Sequence, residues 1–272
     1  MSDLIPRHLA PVGQVLLEEF PVVFVQGARR VGKSTFAAVL ARSRPHLAFT
    51  LDQPEALAAA KADPQGFLDQ FPDGLTVVDE VQRAPQLILA AKALVDRDPR
   101  PGRFCFTGSS DVLRLPGAAD SLAGRAATVP LAGLSRGELV SLDDDFAAWV
   151  RDLPAVPQAY KSVWRRQDYI DALAHGGYPE IRDRAWPAAK RWLGAYFERI
   201  MTRDIADISR SLSAPRLASM ARMVAANQAG ELVKGHLASD LEMPSSTVTR
   251  YLDALATLYL TRELPPWRAN LT

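Results

Sequence analysis

The stretch Gly27-Ala-Arg-Arg-Val-Gly-Lys-Ser-Thr35 follows an apolar run at residues 21–25 and precedes a helical pattern from Lys33 to about Arg42. Its first eight residues fit the spacing G-x-x-x-x-G-K-[S/T], in which the glycines let backbone N–H groups converge on phosphate oxygens. The helix that follows adds the positive end of its dipole. The stretch therefore predicts a nucleoside triphosphate site between a buried strand and a helix.

Within this loop, two side chains have a predicted chemical role. We expect Lys33 to reach the β- and γ-phosphates and the Ser34 hydroxyl to ligate Mg²⁺. Arg29 and Arg30 are expected to face either the nucleotide or a phosphate of a partner. The predicted ATP-binding residues are Gly27, Ala28, Arg29, Arg30, Val31, Gly32, Lys33, Ser34 and Thr35. The alternative is a glycine turn with an incidental lysine.

A second motif, Leu-Thr-Val-Val-Asp-Glu at residues 75–80, predicts the acidic half of the same site. Four residues of a buried strand lead into Asp79, which we expect to hold Mg²⁺ through water, and Glu80, which we expect to polarise the attacking water. The alternative for Glu80 is a solvated acid at the end of a strand. The pairing with the upstream loop favours the catalytic interpretation.

Five apolar runs in the first half, alternating with helical patterns, predict an α/β fold with a parallel sheet. The predicted strands are residues 21–27, 47–52, 75–80, 103–110 and 127–134. An adjacent Asp-Glu pair is typical of P-loop NTPases in which an extra strand separates the loop strand from the acidic strand. The predicted order is therefore 5-1-4-3-2, with an all-helical region and a small winged-helix unit following.

The end of the fourth strand, Phe-Thr-Gly-Ser-Ser at residues 106–110, predicts a polar residue beside the γ-phosphate. Thr107, Ser109 and Ser110 are the candidates. We favour Ser109 as the sensing residue, with Ser110 as the alternative. A plain strand-ending turn would have the same composition.

Rapid phosphoryl transfer also needs a positive charge in the transition state. Arg125 precedes the fifth predicted strand and is the candidate, acting on a neighbouring subunit of a homo-oligomer. The alternative is a surface arginine without a catalytic role.

The chain changes character after about residue 140, which predicts three domains. These are a P-loop ATPase domain at residues 1–140, a linker and helical domain at 141–228, and a winged helix-turn-helix at 229–272. In the last, residues 235–241 and 245–258 are the predicted helices, and residues 259–264 are expected to begin a wing strand. The second helix begins with a Ser-Ser-Thr run, which suits a helix that reads DNA, although many such units pack only against protein.

Residues 182–222 contain nine Arg or Lys and four Asp or Glu residues, a local net charge of +5. Aromatic residues are interleaved with these charges, which is typical of surfaces that follow a phosphate backbone. The alternative is an amphipathic helix pair with aromatic residues in its core. We therefore expect double-stranded or branched DNA, if bound, to contact residues 182–258.

The amino-acid composition indicates the cellular compartment in which the protein is expected. A single cysteine, Cys105, excludes an internal disulfide framework and favours a reducing cytoplasm. The sequence contains neither the order of residues found in a signal peptide nor an apolar run long enough to span a bilayer. The net charge of +1 favours no class of partner by itself.

Together, these motifs resemble a known group, the AAA-type predicted ATPases of bacteria and archaea that carry a C-terminal domain of unknown function. The resemblance rests on QGARRVGKST (26–35), LDQP (51–54), VVDEVQRAP (77–85), FTGSS (106–110), LAGRAATVPLAGLS (122–135), GGYPE (176–180), TRDI (202–205) and ELPPW (263–267). It implies ATP binding and hydrolysis. Members continue past a segment like ELPPW, so we expect their last domain to be missing from this chain, which stops at Thr272.

The leading hypothesis is a Mg²⁺-dependent ATPase that moves a helical and winged-helix region, acting on DNA. The alternative is a nucleotide-dependent protein-interaction switch, regulatory or toxin–antitoxin-like, that does not bind DNA. A small-molecule kinase is disfavoured because the sequence contains no arginine-rich lid and no acceptor-pocket motif.

Overall fold

The computed structural model describes residues 4–109, 122–142, 145–152, 162–205 and 212–264. Contacts divide the chain into two compact units, Met1–Ala189 and Lys190–Thr272. No helix in the described ranges is long and apolar enough to cross a membrane.

The first unit is built on a sheet of five parallel strands. The strands are β1 (Val22–Gln26), β2 (His46–Thr50), β3 (Leu75–Asp79), β4 (Phe104–Gly108) and β5 (Ala126–Pro130). They lie in the order β2-β3-β4-β1-β5, and every neighbouring pair is parallel. The predicted order 5-1-4-3-2 and the P-loop NTPase type of sheet are therefore confirmed. Strand β4 separates the loop strand from the acidic strand.

Helices and short turns connect the strands. The helices of this unit are α1 (Ala10–Glu19), α2 (Lys33–Ala41), α3 (Pro54–Ala62), α4 (Pro64–Leu68), α5 (Gln86–Arg97), α6 (Arg136–Leu139), α7 (Phe146–Arg151) and α8 (Arg166–His175). Single 3₁₀ turns lie at Val81–Arg83 and Pro179–Ile181. The stretch predicted as a linker from residue 141 thus contains a short helix, α7, and residues 153–161 lie outside the described part.

The core of this unit lies on both faces of the sheet's centre. All five residues of β1 and of β4 are buried, as expected for central strands covered by helices on both faces. The rings of Phe24 and Phe106 pack at a centroid distance of 5.4 Å. This packing fixes the ends of β1, β3 and β4, from which the candidate site is built.

The second unit is helical. Helix α9 (Trp186–Arg199) leads into it and continues as a π-helical turn, Ile200–Asp204. The remaining helices are α10 (Ala214–Ala226), α11 (Lys234–Asp240) and α12 (Ser245–Thr257). Their core includes Leu217, Leu237, Val248 and Leu255. The two helices predicted for the helix-turn-helix are therefore present at nearly the predicted bounds.

The predicted wing strand at residues 259–264 is wrong. Residues 259–260 lie in a turn, and residues 261–264 have no regular secondary structure. A strand needs a neighbouring strand to satisfy its N–H and C=O groups, and the described part of this unit contains only helices and turns. Within the predicted strand, Leu260 instead packs against the helical core. The predicted domain boundaries at residues 140 and 228 stay predictions.

Candidate nucleotide site

The candidate site lies at the carboxyl edge of the sheet, where β1, β3 and β4 end side by side. Parallel α/β sheets bind ligands at this edge because loops and helix N-termini converge there. The loop at 27–35 follows β1, the acidic pair ends β3, and Ser109 follows β4. The topology therefore brings together three predicted segments that are distant in the sequence.

The backbone of the loop adopts conformations that its sequence permits. Gly32 caps helix α2 with φ 96°, in the left-handed region that favours glycine. A Cβ atom on Gly27 would lie 2.1 Å from the carbonyl oxygen of Leu131. Leu131 also donates its N–H to the carbonyl oxygen of Gln26 over 2.7 Å. Gly27 thus lets the loop begin against the segment that follows β5.

Lys33 is buried, with 5 % of its surface exposed. Its Nζ atom donates to the carbonyl oxygen of Ala28 over 2.9 Å, so the ammonium folds back over the loop. Burial lowers the pKa of Lys33, and the carboxylates of Glu80 and Asp79 oppose that shift. Among the described residues, the buried ammonium donates to a carbonyl and forms no ion pair, so it is an electrostatically favourable place for an anion.

Ser34 and Asp79 meet across the site. The Ser34 hydroxyl donates to Asp79 Oδ1 over 2.8 Å, and the buried Thr107 hydroxyl donates to the same oxygen. Both members are hard oxygen donors, the type that Mg²⁺ prefers. The hydroxyl expected to ligate Mg²⁺ and the carboxylate expected to hold the ion through water therefore lie side by side.

Glu80 has an unusual backbone. Its φ of 59° lies in the left-handed region, which is uncommon for a residue with a side chain. Its N–H donates to Thr107 Oγ1 over 3.2 Å. Thr107 therefore contacts both acidic residues and sets where the acidic pair leaves the strand.

The Glu80 carboxylate contacts the residue favoured as the γ-phosphate sensor. Ser109 Oγ lies 3.3 Å from Glu80 Oε2, and the side chain of Gln82 donates to both groups. Ser110, the alternative sensor, lies outside the described residues. Gln82 belongs to the motif VVDEVQRAP (77–85), for which no role of this residue was predicted. Nothing in the spacing distinguishes it, because its position depends on the turn that follows Glu80.

Arg125 lies away from the loop of its own chain. It directly precedes β5, and the next residue, Ala126, pairs with Val22 at the start of β1, so Arg125 is at the amino edge of the sheet. Its Nε atom forms an ion pair with Asp96 Oδ1 at 2.7 Å. Of the predicted catalytic residues, Lys33, Glu80 and Ser109 therefore converge in one chain and Arg125 does not.

The two loop arginines differ in their surroundings. Arg30 has a left-handed backbone with φ 65° and forms an ion pair with Glu180 of the Gly-Gly-Tyr-Pro-Glu turn. Arg29 lies close enough for its charge to lower the pKa of Lys33. The pair between Arg30 and Glu180 joins the loop to a motif 150 residues away.

Arg7 binds the outer side of the loop, a contact that was not predicted from the sequence. It donates to the carbonyl oxygens of Val31 over 3.0 Å and Ala132 over 2.7 Å. It also pairs with the buried carboxylate of Glu138 at 3.0 Å. Glu138 accepts from the N–H groups of His8 and Ser135, each at 2.8 Å. The Ser-x-x-Glu spacing of residues 135–138 was a detectable indication of this helix cap.

A cavity of about 650 Å³ adjoins the loop. Three segments line it, residues 4–7, 31–39 and 179–183, and most of the side chains at its wall are apolar. Such a cavity is within the usual size range for small-molecule sites. Its position beside Gly32 and Thr35 makes it continuous with the phosphate loop.

Sequence families match both parts of the chain. Residues 19–140 match the model of a family described as the AAA domain. Residues 166–272 match a domain of unknown function (DUF8612). A domain with that description thus covers the C-terminal part of the chain, where sequence reasoning expected only helices and a winged unit.

Relatives of similar sequence and fold exist. Two proteins described as uncharacterized, from Mycobacterium bovis and Mycobacterium tuberculosis, are each 32% identical over 257 residues, which is 94% of this chain and 52% of theirs. The chain thus spans about half the length of these curated relatives. The Walker-type ATPase of Pyrococcus abyssi has a similar fold, with a TM-score of 0.53 and 17% identity over 94% of this chain and 90% of that one. At this identity the similarity concerns the fold.

Proposed function

Because residues 19–140 form an AAA-type P-loop domain, we propose that this protein binds ATP with Mg²⁺ and hydrolyses it. The observation that carries the proposal is the 2.8 Å contact between Ser34 and Asp79 beside the buried ammonium of Lys33. A structural ion cluster would pair that ammonium with a carboxylate. Here Lys33 instead donates to the Ala28 carbonyl, a bond that a phosphate oxygen can replace.

Binding follows from the loop and the cavity. The N-terminal N–H groups of helix α2 and the Lys33 ammonium provide the positive field for the phosphates. The cavity lined by residues 4–7, 31–39 and 179–183 accommodates the base and ribose. Ser34 would ligate Mg²⁺ and Asp79 would hold it through water, and the ion would neutralise phosphate charge during transfer.

Hydrolysis is assigned to Glu80 and Ser109. Glu80 lies next to the metal pair in the chain, and its carboxylate accepts the proton of the attacking water. Ser109 lies 3.3 Å from that carboxylate and is the polar group that meets the γ-phosphate. The two residues are therefore placed to respond together when ATP is bound.

The test measures phosphate release from ATP by the purified chain, in Mg²⁺ and in excess EDTA. We expect turnover in Mg²⁺ alone, and none from Lys33→Met. Exposed Lys61→Met, in helix α3, is the matched control and should retain turnover. Equal phosphate release by wild type and Lys33→Met would overturn the proposal.

We further infer that the second unit contacts DNA and that the ATP cycle moves it. The support is the pair of helices α11 and α12, joined at Leu241–Pro244 through Glu242 with φ 49°. Ser245, Ser246 and Arg250 are exposed at the start of α12, where a recognition helix presents its side chains. One observation opposes a wider surface for base stacking: Tyr196 and Phe197 pack on the helical core.

The salt dependence of DNA binding distinguishes a DNA-contacting ATPase from a protein-interaction switch. We expect duplex DNA to bind, with affinity falling steeply as salt rises, because phosphate contacts release counterions. The variant Lys190→Ser with Arg191→Ser removes two exposed cations of α9 and should weaken binding, whereas Arg165→Ser with Arg166→Ser, exposed on the first unit, should not. No binding at low salt, to duplex or branched DNA, favours the switch.

The assignment of Arg125 to a neighbouring site in a homo-oligomer is also a proposal. Its position at the amino edge of the sheet supports action outside its own chain. If Arg125 acts in trans, mixing Arg125→Ala subunits with Glu80→Gln subunits should restore part of the turnover that each lacks alone. No restoration would contradict action between subunits.

A further inference from the structure

Gln82 occupies the space between the two residues assigned to hydrolysis. It lies in the 3₁₀ turn Val81–Arg83, directly after Glu80. We propose that Gln82 is a positioning residue: its side-chain amide fixes the Glu80 carboxylate against the Ser109 hydroxyl. This inference rests on the proposed ATP hydrolysis and adds a third residue to it.

The three side chains form a closed triangle of hydrogen bonds. Gln82 Nε2 donates to Glu80 Oε2 and to Ser109 Oγ over 3.1 Å. Ser109 Oγ in turn donates to Glu80 Oε2 over 3.3 Å. A bond to a carboxylate is stronger than one between neutral groups. The carboxylate oxygen is thus held from two directions.

The chemistry of the contact settles which way the amide faces. If the amide were reversed, its oxygen would face the carboxylate oxygen, and two acceptors would repel each other. The nitrogen must therefore point to Glu80. As a result Gln82 Oε1 is buried and has no hydrogen-bond partner among the described residues. An unpaired buried oxygen costs free energy, so the contacts with Glu80 and Ser109 dictate this orientation.

The backbone explains how Gln82 reaches the Glu80 carboxylate. The left-handed φ of 59° at Glu80 turns the chain after the strand and into the 3₁₀ turn Val81–Arg83. Gln82, two residues further on, thereby contacts the Glu80 side chain. Since Ser109 follows the adjacent strand β4, the amide also ties the acidic strand to the strand that senses phosphate.

A residue that aims the base acts on the chemical step and not on binding. Displacing a catalytic group by about 1 Å costs roughly 100-fold in rate. For Gln82→Met, which keeps the side-chain length and removes the donor, we expect kcat to fall at least about 10-fold while KM and the Kd for ATP stay within about twofold.

The experiment measures ATP turnover and binding of a fluorescent ATP analogue by the full chain. The matched control is Gln70→Met, an exposed glutamine before β3 at the opposite edge of the sheet, which should keep wild-type kcat. A kcat for Gln82→Met equal to that of wild type overturns the inference and leaves the proposed function standing. Absence of turnover in the wild type overturns the proposed function itself.

Two further measurements distinguish aiming from packing. In a double-mutant cycle, Gln82→Met combined with Ser109→Ala should lose little more kcat than the worse single variant, because the residues act as one unit. Independent, multiplicative losses contradict the inference.

If Gln82→Met lowers Tm, the turnover of Gln82→Lys is compared with that of Gln82→Glu. Lysine still donates and glutamate repels the carboxylate, so Gln82→Lys must turn over faster, and the reverse order overturns the inference.

Discussion

The Ser34 hydroxyl lies 2.8 Å from Asp79 Oδ1, although 45 residues separate the two in the sequence. Ser34 lies in the first turn of helix α2, after the loop that follows β1, and Asp79 ends β3. Strands β1 and β3 are not neighbours, since β4 lies between them, so the contact joins segments that follow two separated strands at the carboxyl edge. It unites the phosphate loop and the acidic strand in one site.

This contact predicts how Asp79→Asn behaves. The amide oxygen can still accept from Ser34 and Thr107, so the fold should persist, while the charge that attracts Mg²⁺ is lost. We expect ATP affinity in Mg²⁺ to fall about 10-fold, or about 1.4 kcal/mol, with little change in EDTA. Titration with a fluorescent ATP analogue in both buffers measures this. An equal loss in both would show that Asp79 acts through the loop and not through the metal.

The hydrogen bonds of Thr107 predict that replacing this residue lowers the stability of the fold. Its hydroxyl donates to Asp79 and accepts from the Glu80 N–H. Thr107→Val keeps the shape, removes the acceptor of the Glu80 N–H and leaves Asp79 Oδ1 with the Ser34 hydroxyl alone, which should cost about 1–3 kcal/mol of the free energy of unfolding. Denaturant unfolding checks the loss, and kcat should fall as well because the acidic pair shifts.

The matched control is Thr76→Val in the neighbouring strand. Thr76 Oγ1 is buried with no hydrogen-bond partner in the described part of the chain. Removing that hydroxyl should leave stability unchanged or raise it by about 1 kcal/mol. If Thr76→Val destabilised as much as Thr107→Val, the cost would belong to the sheet in general and not to the site.

Gly27 predicts the sharpest steric effect in the loop. Its Cβ in Gly27→Ala would lie 2.1 Å from the Leu131 carbonyl oxygen, and a backbone atom cannot move aside as a side chain can. We expect a loss of several kcal/mol in stability, of the order that strained core substitutions cause, together with loss of ATP binding. Thermal unfolding with and without ATP measures both.

Gly194→Ala provides the contrast. Gly194 lies inside helix α9, and nothing lies within 4 Å of an added Cβ. Alanine is the better helix former, so this variant should gain about 0.5–1 kcal/mol. A loss of stability in Gly194→Ala would contradict the open surroundings of this helix position.

The contacts of the Glu138 carboxylate predict that its contribution to stability depends on pH. The N–H groups of Ser135 and His8 and the Arg7 guanidinium hold its pKa below the ordinary 4.5, although burial opposes them. A carboxyl whose pKa is lowered on folding stabilises the protein above 4.5 and loses this contribution as the pH falls through the folded pKa. Glu138→Gln should therefore lower stability by about 2 kcal/mol at neutral pH, or roughly 4–8 °C in Tm.

The difference in Tm between wild type and Glu138→Gln should shrink as the pH falls below 4.5. Thermal unfolding across that range tests the sign. A difference that stayed constant from neutral to acidic pH would show that the charge of Glu138 is not what holds Arg7 and the loop.

The strand order and most residues of the candidate site could be predicted from the sequence. Gly27, Lys33, Ser34, Asp79 and Glu80 follow from local spacing, because the phosphate loop and the acidic strand each have a fixed local geometry. Apolar runs gave the five strands, and the adjacent acids gave the order. These features depend on neighbours in the chain.

Contacts across the fold could not be predicted. Gln82 and Arg7 reach their partners only through the turn after Glu80 and the segment after β5, which no spacing encodes. The wing strand was wrong for a related reason, since Leu260 packs on the helices instead of belonging to a strand. Tertiary packing determined each of these outcomes.

The central claim, that Glu80 activates water for ATP hydrolysis, is tested most directly by Glu80→Gln. Turnover and equilibrium ATP binding should be measured on the same preparation in Mg²⁺. We predict ATP affinity within about twofold of wild type and turnover lowered at least about 100-fold, the scale of a lost general base. Full turnover by Glu80→Gln would contradict the account.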